Sequence, residues 1–484
     1  MLACFSTLAQ TAEELLRYTD LRPGGTARTM AIGGAINALG ADYASLSSNP
    51  AGVAAFRKSE FVLSLGQLNT NFESSLGGET VNASRGNFNL ETLGFIFNTK
   101  PRKMLKWKAF NMAFGLNRLA NFHSIQRYEG DGNSSILESF AEAAQGRTFE
   151  ELNPFDTQLA FDLNAIDEDP NNPGTWFTFD DFSLGSLRRA ETIERSGGVN
   201  ELLFSLGGNY QDKLLLGFTL GAPIVQFEQN REYSESDPEN NIREFERVGY
   251  QESITTSGIG FNVKVGVIYR LSPKVRFGAS FHTRTIFSLT DVFSTSMSYA
   301  FINGEGTSSE EFLSDELESI DGTFDYSLRT PWRAAGGVAV VINRLGFLTA
   351  EIEYLDYASG SFDLTRNLNN TQTEIEEQNL NEEINDIYTS VINLKFGGEF
   401  ALKKWRLRAG YALNPTAFVD ESEQDDFLTF GLGFRGKSIY LDAAWRHVIS
   451  NQSYAPYVVQ SAPQPIIDNK IVQNRVVLTF GYRF

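Results

Sequence analysis

Residues 24–56 read GGTARTMAIGGAINALGADYASLSSNPAGVAAF, and nothing later in the chain resembles them. Small residues dominate, aromatics are few, and apolar and polar positions do not alternate. Gly24, Gly25, Ala27, Ala31, Gly33, Gly34, Ala35 and Ala38 allow tight packing in a confined space. The stretch closes on Asn49, Pro50, Ala51 and Gly52, a turn signal. Proline fixes its own φ and drives Asn49 out of the helical region, and Gly52 tolerates a positive φ. Alternating strands begin at Ser59 and continue to the C-terminus. A small-residue plug followed by amphipathic strands predicts a plugged β-barrel.

Composition narrows the class. The 484 residues would ordinarily make several soluble domains, yet no linker or low-complexity block follows Ser59, so one large all-β unit fits better. A net charge of -19 argues against a nucleic-acid partner. The 39 Phe and 17 Tyr are more than a soluble β-protein needs, whereas a membrane barrel turns them toward lipid and its interfaces. No apolar run reaches the length of a transmembrane helix. Cys4 is the sole cysteine, so an intrachain disulfide is impossible. Residues 1–9 look like the remnant of a secretory signal peptide, with a short apolar run from Leu2 to Ala9; a lipidated Cys4 is the weaker alternative. The predicted organisation is a signal remnant at 1–9, a hatch at 10–58 with a helical turn or two over 12–18, and an outer-membrane barrel at 59–484.

Period-2 alternation marks the strands. Phe261, Val263, Val265, Val267 and Tyr269 alternate with Asn262, Lys264, Gly266 and Ile268; Val275, Phe277, Ala279 and Phe281 alternate with Arg276, Gly278 and Ser280. Strand centres fall near 65, 93, 114, 204, 218, 264, 279, 336, 350, 394, 408, 430, 442 and 478. That predicts an all-β fold: a 14-stranded antiparallel transmembrane β-barrel plugged by an N-terminal small-residue hatch. Connections alternate in length. Short, basic ones fall near 100–106, 211–213, 271–273, 343–344, 403–404 and 435–437. Long ones fall near 69–80, 121–189, 229–247, 290–322, 366–384, 414–426 and 451–470, and these are acidic. Segregation of charge by loop parity belongs to a membrane barrel with its short turns in the periplasm. The last strand carries Leu478, Phe480, Tyr482 and Phe484 on one face, resembling the terminal insertion signal of bacterial outer-membrane proteins.

The plug carries a further resemblance. Gly25-Thr26-Ala27-Arg28, Ile32-Gly33-Gly34-Ala35, Ala38-Leu39-Gly40-Ala41-Asp42 and Ser48-Asn49-Pro50-Ala51-Gly52 resemble the N-terminal hatch of the FadL/TodX (OMPP1) outer-membrane transport family, most of all its Bacteroidetes branch, often labelled hemin receptors. Weaker similarity lies in residues 330–337 (TPWRAAGG), in 408–411 (RAGY) and in Asn414-Pro415. The resemblance implies an integral outer-membrane channel, not an enzyme. Its cargo would be hydrophobic compounds, long-chain fatty acids or similar, passing from an apolar pocket past a shifting hatch and out through a side opening. Asn49, Pro50, Ala51 and Gly52 would be the hatch turn, as gate or as brace.

His123, His282 and His447 are far apart, so the hemin label gains no ligand set; neither metal nor cofactor is expected. No nucleophile elbow occurs. Inward charges such as Lys264, Arg276, Glu351, Glu353, Lys395, Glu399, Arg406, Arg408, Asp442 and Arg446 read first as an ion-pair network bracing the lumen, and second as a carboxylate site. The acidic run 374–386 reads as a self-repelling, disordered loop ahead of a divalent-cation site. Besides lipid and a hydrophobic ligand, outer-membrane proteins are candidate partners through the long loops. Phe155, Trp176, Phe177 and Phe179 are candidate partner anchors, or a lid over the barrel mouth. The alternative function is therefore a FadL-like barrel kept as a scaffold or partner-binding subunit of a larger outer-membrane complex, as in PorV-type barrels of protein secretion.

Overall fold

The computed structural model describes residues 12–19, 25–100, 106–242, 245–302, 312–365, 371–419, 424–460 and 462–484. The signal remnant at 1–9, with Cys4, lies outside the described residues. Among the described residues, nineteen hydrogen-bonded strand segments make one antiparallel sheet. Four segments continue a strand past a break and one, Phe312–Glu318, is a short return strand, which leaves fourteen crossings.

In chain order the crossings are β1 (Glu60–Leu76), β2 (Glu79–Thr99), β3 (Trp107–Asn121, resuming as Ser124–Gly132), β4 (Leu187–Tyr210), β5 (Leu214–Ser236), β6 (Phe245–Arg270) and β7 (Val275–His282, resuming as Ile286–Ile302). There follow β8 (Gly322–Arg329 and Arg333–Ile342), β9 (Gly346–Asp356 and Ser361–Asp363), β10 (Ser390–Leu402), β11 (Trp405–Pro415), β12 (Gln424–Arg435), β13 (Ile439–Tyr454) and β14 (Ile467–Arg483). Each pairs with its chain neighbour, and β14 returns to β1 from Glu60↔Arg483 to Ser75↔Asp468, closing the cylinder. Every centre read from the alternation lies in one of these strands.

The alternation has its physical cause in two solvents. On β6, Ile259, Phe261, Val265 and Tyr269 stand exposed on the outside while Asn262, Lys264 and Ile268 are buried inside. From Ile259 to Tyr269 a tilted strand rises about 25 Å, the height of a hydrocarbon layer. Tyr269, Trp405 and Tyr482 stand exposed near the short-turn rim, where aromatic rings favour the lipid interface.

The long-loop side departs from the sequence expectation. The connection expected at 69–80 is a two-residue turn, Gly77-Gly78, with φ of 60° and 94°. β5 and β6 run on to Ser236 and from Phe245 through the span expected as loop, and β3 resumes at Ser124. These strands outgrow the membrane, so their outward residues turn polar while pairing continues. The run 374–386 is also no disordered loop: it lies within a helix, α5 (Thr371–Ile387), whose Leu380 and Ile384, one turn apart, are buried. The longest connection, expected at 121–189, narrows to 133–186 and folds into a cap. It carries two helices, α3 (Ile136–Ala144) and α4 (Thr157–Asp162), and shares an apolar core with the protruding strand ends through Phe140, Leu159, Trp176, Phe245 and Tyr299.

Candidate functional site

Residues 25–56 cross the lumen. Thr26 caps a short helix, α2 (Ala27–Met30), and Gly33 and Gly34 turn the chain at φ of 64° and 79°. Asn49 is extended (φ -123°, ψ 101°), as its proline demands, and its Oδ1 accepts from Ala51 N at 3.1 Å to start the 3-10 helix Pro50–Ala55. Its Nδ2 donates to Asn37 O (2.7 Å) and to Val267 O on β6 (3.2 Å). Gly52 does not take the positive φ expected of it; it is small because Ser45 and Gly40 press on the space a Cβ would fill.

A belt of wall glycines receives this segment. A Cβ at Gly207, Gly217, Gly266 or Gly278 would fall on Ala54, Pro50, Asn49 or Asn37; one at Gly397 or Gly410 would fall on Ile32 or Gly33. The belt is in register: Gly207 faces Gly217, Gly217 faces Gly266, and Gly397 faces Gly410. Its sequence signal was a glycine in the inward parity of strand after strand. Polar bonds fasten the segment all round. Ala27 N donates to Thr479 Oγ1 (2.8 Å), Asn37 N to Glu351 Oε2 (2.9 Å) and Asn37 Nδ2 to Ser280 Oγ (2.8 Å). Asn111 Nδ2 donates to Val53 O (2.7 Å) and Phe56 O (2.9 Å), and His282 Nε2 meets Ser48 O at 2.6 Å.

Above the hatch lies a cavity of about 140 Å³ lined by Glu201, Lys264, His282, Arg333, Glu353 and Lys395, among others. Its charges are paired: Lys264 with Glu201, and Lys395 with Glu351 (3.3 Å) and Glu353 (3.4 Å). The other inward charges likewise bind one another or the plug. Arg408 holds Glu399 (2.8 Å) and Asp442 (2.7 Å), and Arg276 donates to Leu39 O (3.2 Å). Among the described residues no three His, Cys, Asp or Glu side chains converge as a metal site.

Over the cavity is an apolar chamber walled by Leu119, Val225, Phe287, Phe324, Leu328 and Tyr388 with their neighbours. Helix α1 (Ala12–Thr19) fills it, burying Ala12, Leu15 and Tyr18 to 2% exposure or less. Phe122, at the break in β3, packs edge-on against Tyr18 with ring centroids 6.3 Å apart.

That break opens a seam. β2 and β3 pair only from Thr92↔Asn117 down to Thr99↔Phe110, and above this level the resumed β3 pairs with β4 alone among the described residues. Within the paired part Gly115, at φ 148°, lies close against Gly94, and β3 parts from β2 above Asn117, with a register shift against β4 between Arg118 and Ala120. At its top Gly130 lies so close to Leu76 of β1 that a Cβ would come within 2.9 Å of the Leu76 carbonyl oxygen. Only side chains span the seam. Thr92 Oγ1 donates to Asn117 Oδ1 (2.8 Å) at the last paired rung; above it Asn121 Nδ2 donates to Asn87 Oδ1 (3.0 Å) and an Arg85 nitrogen to Arg195 O (3.3 Å). Leu90 and Phe88 face outward beside it.

The candidate anchors divide. Trp176 is 3% exposed, donates to Arg147 O at 3.0 Å and packs edge-on against Phe161, so it is a core residue of the cap and not a free anchor. Phe155 is half-buried, its ring tilted at 53° against Phe293 with centroids 4.7 Å apart. Phe177 and Phe179 are 37% and 50% exposed and pair edge to face.

No protein-family model matches the chain, and no curated protein matches its sequence. Solved structures match its fold. A FadL homologue of Pseudomonas aeruginosa superposes with a TM-score of 0.56 at 13% identity over 96% of this chain and 99% of that one. The P. putida toluene transporter TodX superposes with a TM-score of 0.53 at 15% identity, covering 95% and 99%. The fold is thus that of the FadL homologue and of TodX, a closed 14-stranded antiparallel β-barrel.

Proposed function

We propose that this chain belongs to the FadL/TodX family and passes hydrophobic compounds, single-chain amphiphiles such as fatty acids above all, passively across the outer membrane. The observation that carries this reading is the seam: an unpaired stretch of wall between β2 and β3, beside an apolar chamber and above a sealed hatch. An apolar solute in that chamber has two ways on. Straight down it meets paired charges and a braced plug, at the cost of desolvating polar groups. Sideways it meets lipid, where its apolar surface stays out of water. The name of one structural neighbour, a toluene transporter, supports an apolar cargo. Asn49, Pro50, Ala51 and Gly52 act here as a brace, and gating is left to movements above them.

The test is to lock the seam. Cysteines at Asn87→Cys and Asn121→Cys, whose side chains now touch at 3.0 Å, should form a disulfide across it. Cells carrying the oxidised protein should take up radiolabelled oleate at least tenfold more slowly, and reductant should restore the rate. Unchanged uptake in the locked protein would sink the lateral route.

The exposed Phe177–Phe179 pair favours a second, narrower reading, in which the cap also docks another outer-membrane protein. Replacing both with Ala should strip any stoichiometric partner from native-membrane preparations while leaving oleate uptake intact; a partner that stays bound rules these rings out as its anchor.

A further inference from the structure

We propose that the lipid-facing side of β9, β10 and β11 carries a site for one anionic phospholipid of the leaflet next to the short turns, with an acyl chain in a groove of the wall and the phosphate on Arg344 and Lys403. The site lies apart from the cargo route. β10 stands seven strands on from β3, halfway round the cylinder of fourteen from the seam.

The groove comes from where small residues fall in the outward parity. Leu348, Phe396, Phe400 and Leu407 stand exposed toward lipid. Among them Leu348 pairs with Gly398 and Gly398 with Ala409, so two small residues adjoin in one rung. Phe396 and Phe400, two residues either side of Gly398 on β10, stand as ridges above and below that floor. The hollow measures about 1090 Å³ and opens to the bilayer. Lipid chains slide along a smooth apolar wall. A chain lodged between ridges touches protein on several sides, and its many small contacts add up.

Charge lies where the head of such a lipid would stand. The turn 343–345 below β8 and β9 holds Arg344, and the turn 403–404 below β10 and β11 holds Lys403 and Lys404. Ala401 N donates to Leu345 O at 2.7 Å, which fastens the two turns side by side at the foot of the groove. Asn343 and Lys403 take φ of 47° and 53°, so both turns are tight. Arg344 and Lys403 are exposed, and neither turn contains a carboxylate. Glu399, near the foot of β10, is engaged by Arg406 (3.4 Å) and Arg408 (2.8 Å) on the lumen side. Lys404 leans away, its Nζ 6.0 Å from the centre of the Phe434 ring on β12. An arginine and a lysine on the rim of an apolar hollow suit a phosphate: the guanidinium by a forked pair of bonds, the ammonium as a point charge. Basic clusters at a bilayer surface favour anionic head groups.

The test uses the full chain in detergent micelles, with dioleoylphosphatidylglycerol and dioleoylphosphatidylcholine as probes and bound lipid counted by native mass spectrometry. The parent should hold one phosphatidylglycerol roughly tenfold more tightly than phosphatidylcholine. Gly398→Leu, whose Cβ would fall 3.0 Å from Leu348 Cδ2, should fill the floor and weaken both lipids roughly tenfold. Ala409→Leu should do the same, and it carries the test if the glycine variant does not fold. Arg344→Gln/Lys403→Gln should bring phosphatidylglycerol down to the level of phosphatidylcholine and leave the latter unchanged. Ala443→Leu, in a second lipid-facing hollow bounded by Leu441 and Leu478, should change neither. Equal retention of the two lipids by the parent, or full retention after the floor is filled, would overturn the site. So would a parent dimer that Gly398→Leu splits, because a second copy would then occupy the groove.

Discussion

Residues 25–56 and helix α1 sit in the same lumen and are held in different ways. The lower segment is small-residue backbone pressed into a glycine-lined wall, with bonds to strands on every side of the cylinder. The helix above it meets apolar side chains, and its described polar ties to the wall include Thr19 to Arg333, Ala12 to Tyr388 and the Arg17 guanidinium over the Phe227 ring. Backbone against backbone has one solution. Side chains in an apolar chamber can be exchanged for other apolar matter of similar volume. What the contrast teaches is that "plug" names two devices here, a floor keyed to wall backbone and a helix packed against wall side chains.

The largest effect should come from breaking the floor. Gly217→Val would place its Cβ on the Pro50 carbonyl carbon, where neither backbone can yield, at roughly 3 kcal/mol or more. The expected outcome is an expelled hatch and about a tenfold rise in permeation of small hydrophilic solutes in liposome swelling. A tight barrel that folds and stays closed with valine there would show the belt to be looser than its geometry. Leu15→Ala, by contrast, should leave the thermal unfolding of the barrel unchanged, because α1 meets the wall through side chains and takes no part in strand pairing.

The smallest effect sharpens the comparison from a third region, the cap. Glu235, at the outer end of β5, takes hydrogen bonds from Ile136 N (2.9 Å) and the Tyr233 hydroxyl, yet burial raises its pKa above the ordinary 4.5. Burial also raises Glu138 and Asp156 in the same cap. A raised folded pKa means the folded form holds its proton more tightly than the unfolded chain. Cap stability is then full below about 4.5 and falls as the pH climbs from there through the raised values. Amides of Ile136–Ala144 should exchange severalfold more slowly at pH 5 than at pH 8, after correction for intrinsic rates. An opposite order would contradict the burial of these carboxyls, and a matching change in residues 25–56 would mean that cap and floor are one cooperative unit.

Much of this was legible beforehand, for local reasons. Each membrane crossing is short and its two faces meet different solvents, so Phe261 to Tyr269 or Val275 to Phe281 announce themselves in a few residues. The plug was legible because a run such as Ile32-Gly33-Gly34-Ala35 suits neither strand nor exposed loop. What failed was nonlocal. Strands that rise past the lipid lose their apolar face, so the upper parts of β5 and β6 read as loop. Leu380 and Ile384 were lost among the acids of α5. Trp176 resembled an anchor because its partner Phe161 lies fifteen residues earlier in a fold with no period to follow. The seam had no signature, since the absence of pairing between two good strands is a property of their arrangement. The glycine belt was visible residue by residue, but its meaning needed the register.

The closing of the cylinder has a consequence for biogenesis. Ala27 is bonded to Thr479, 452 positions away, and Glu60 pairs with Arg483. The first part of the chain to be made is thus among the last to find its partners. No early fragment can hold the plug, because part of its seat arrives with the final strand. Contacts of such long range make folding slow and leave strands unpaired meanwhile. The chain must be kept extended and guarded until its end has been synthesised, and the plug must be set while the barrel shuts, since a finished cylinder offers no space through which residues 25–56 could be threaded.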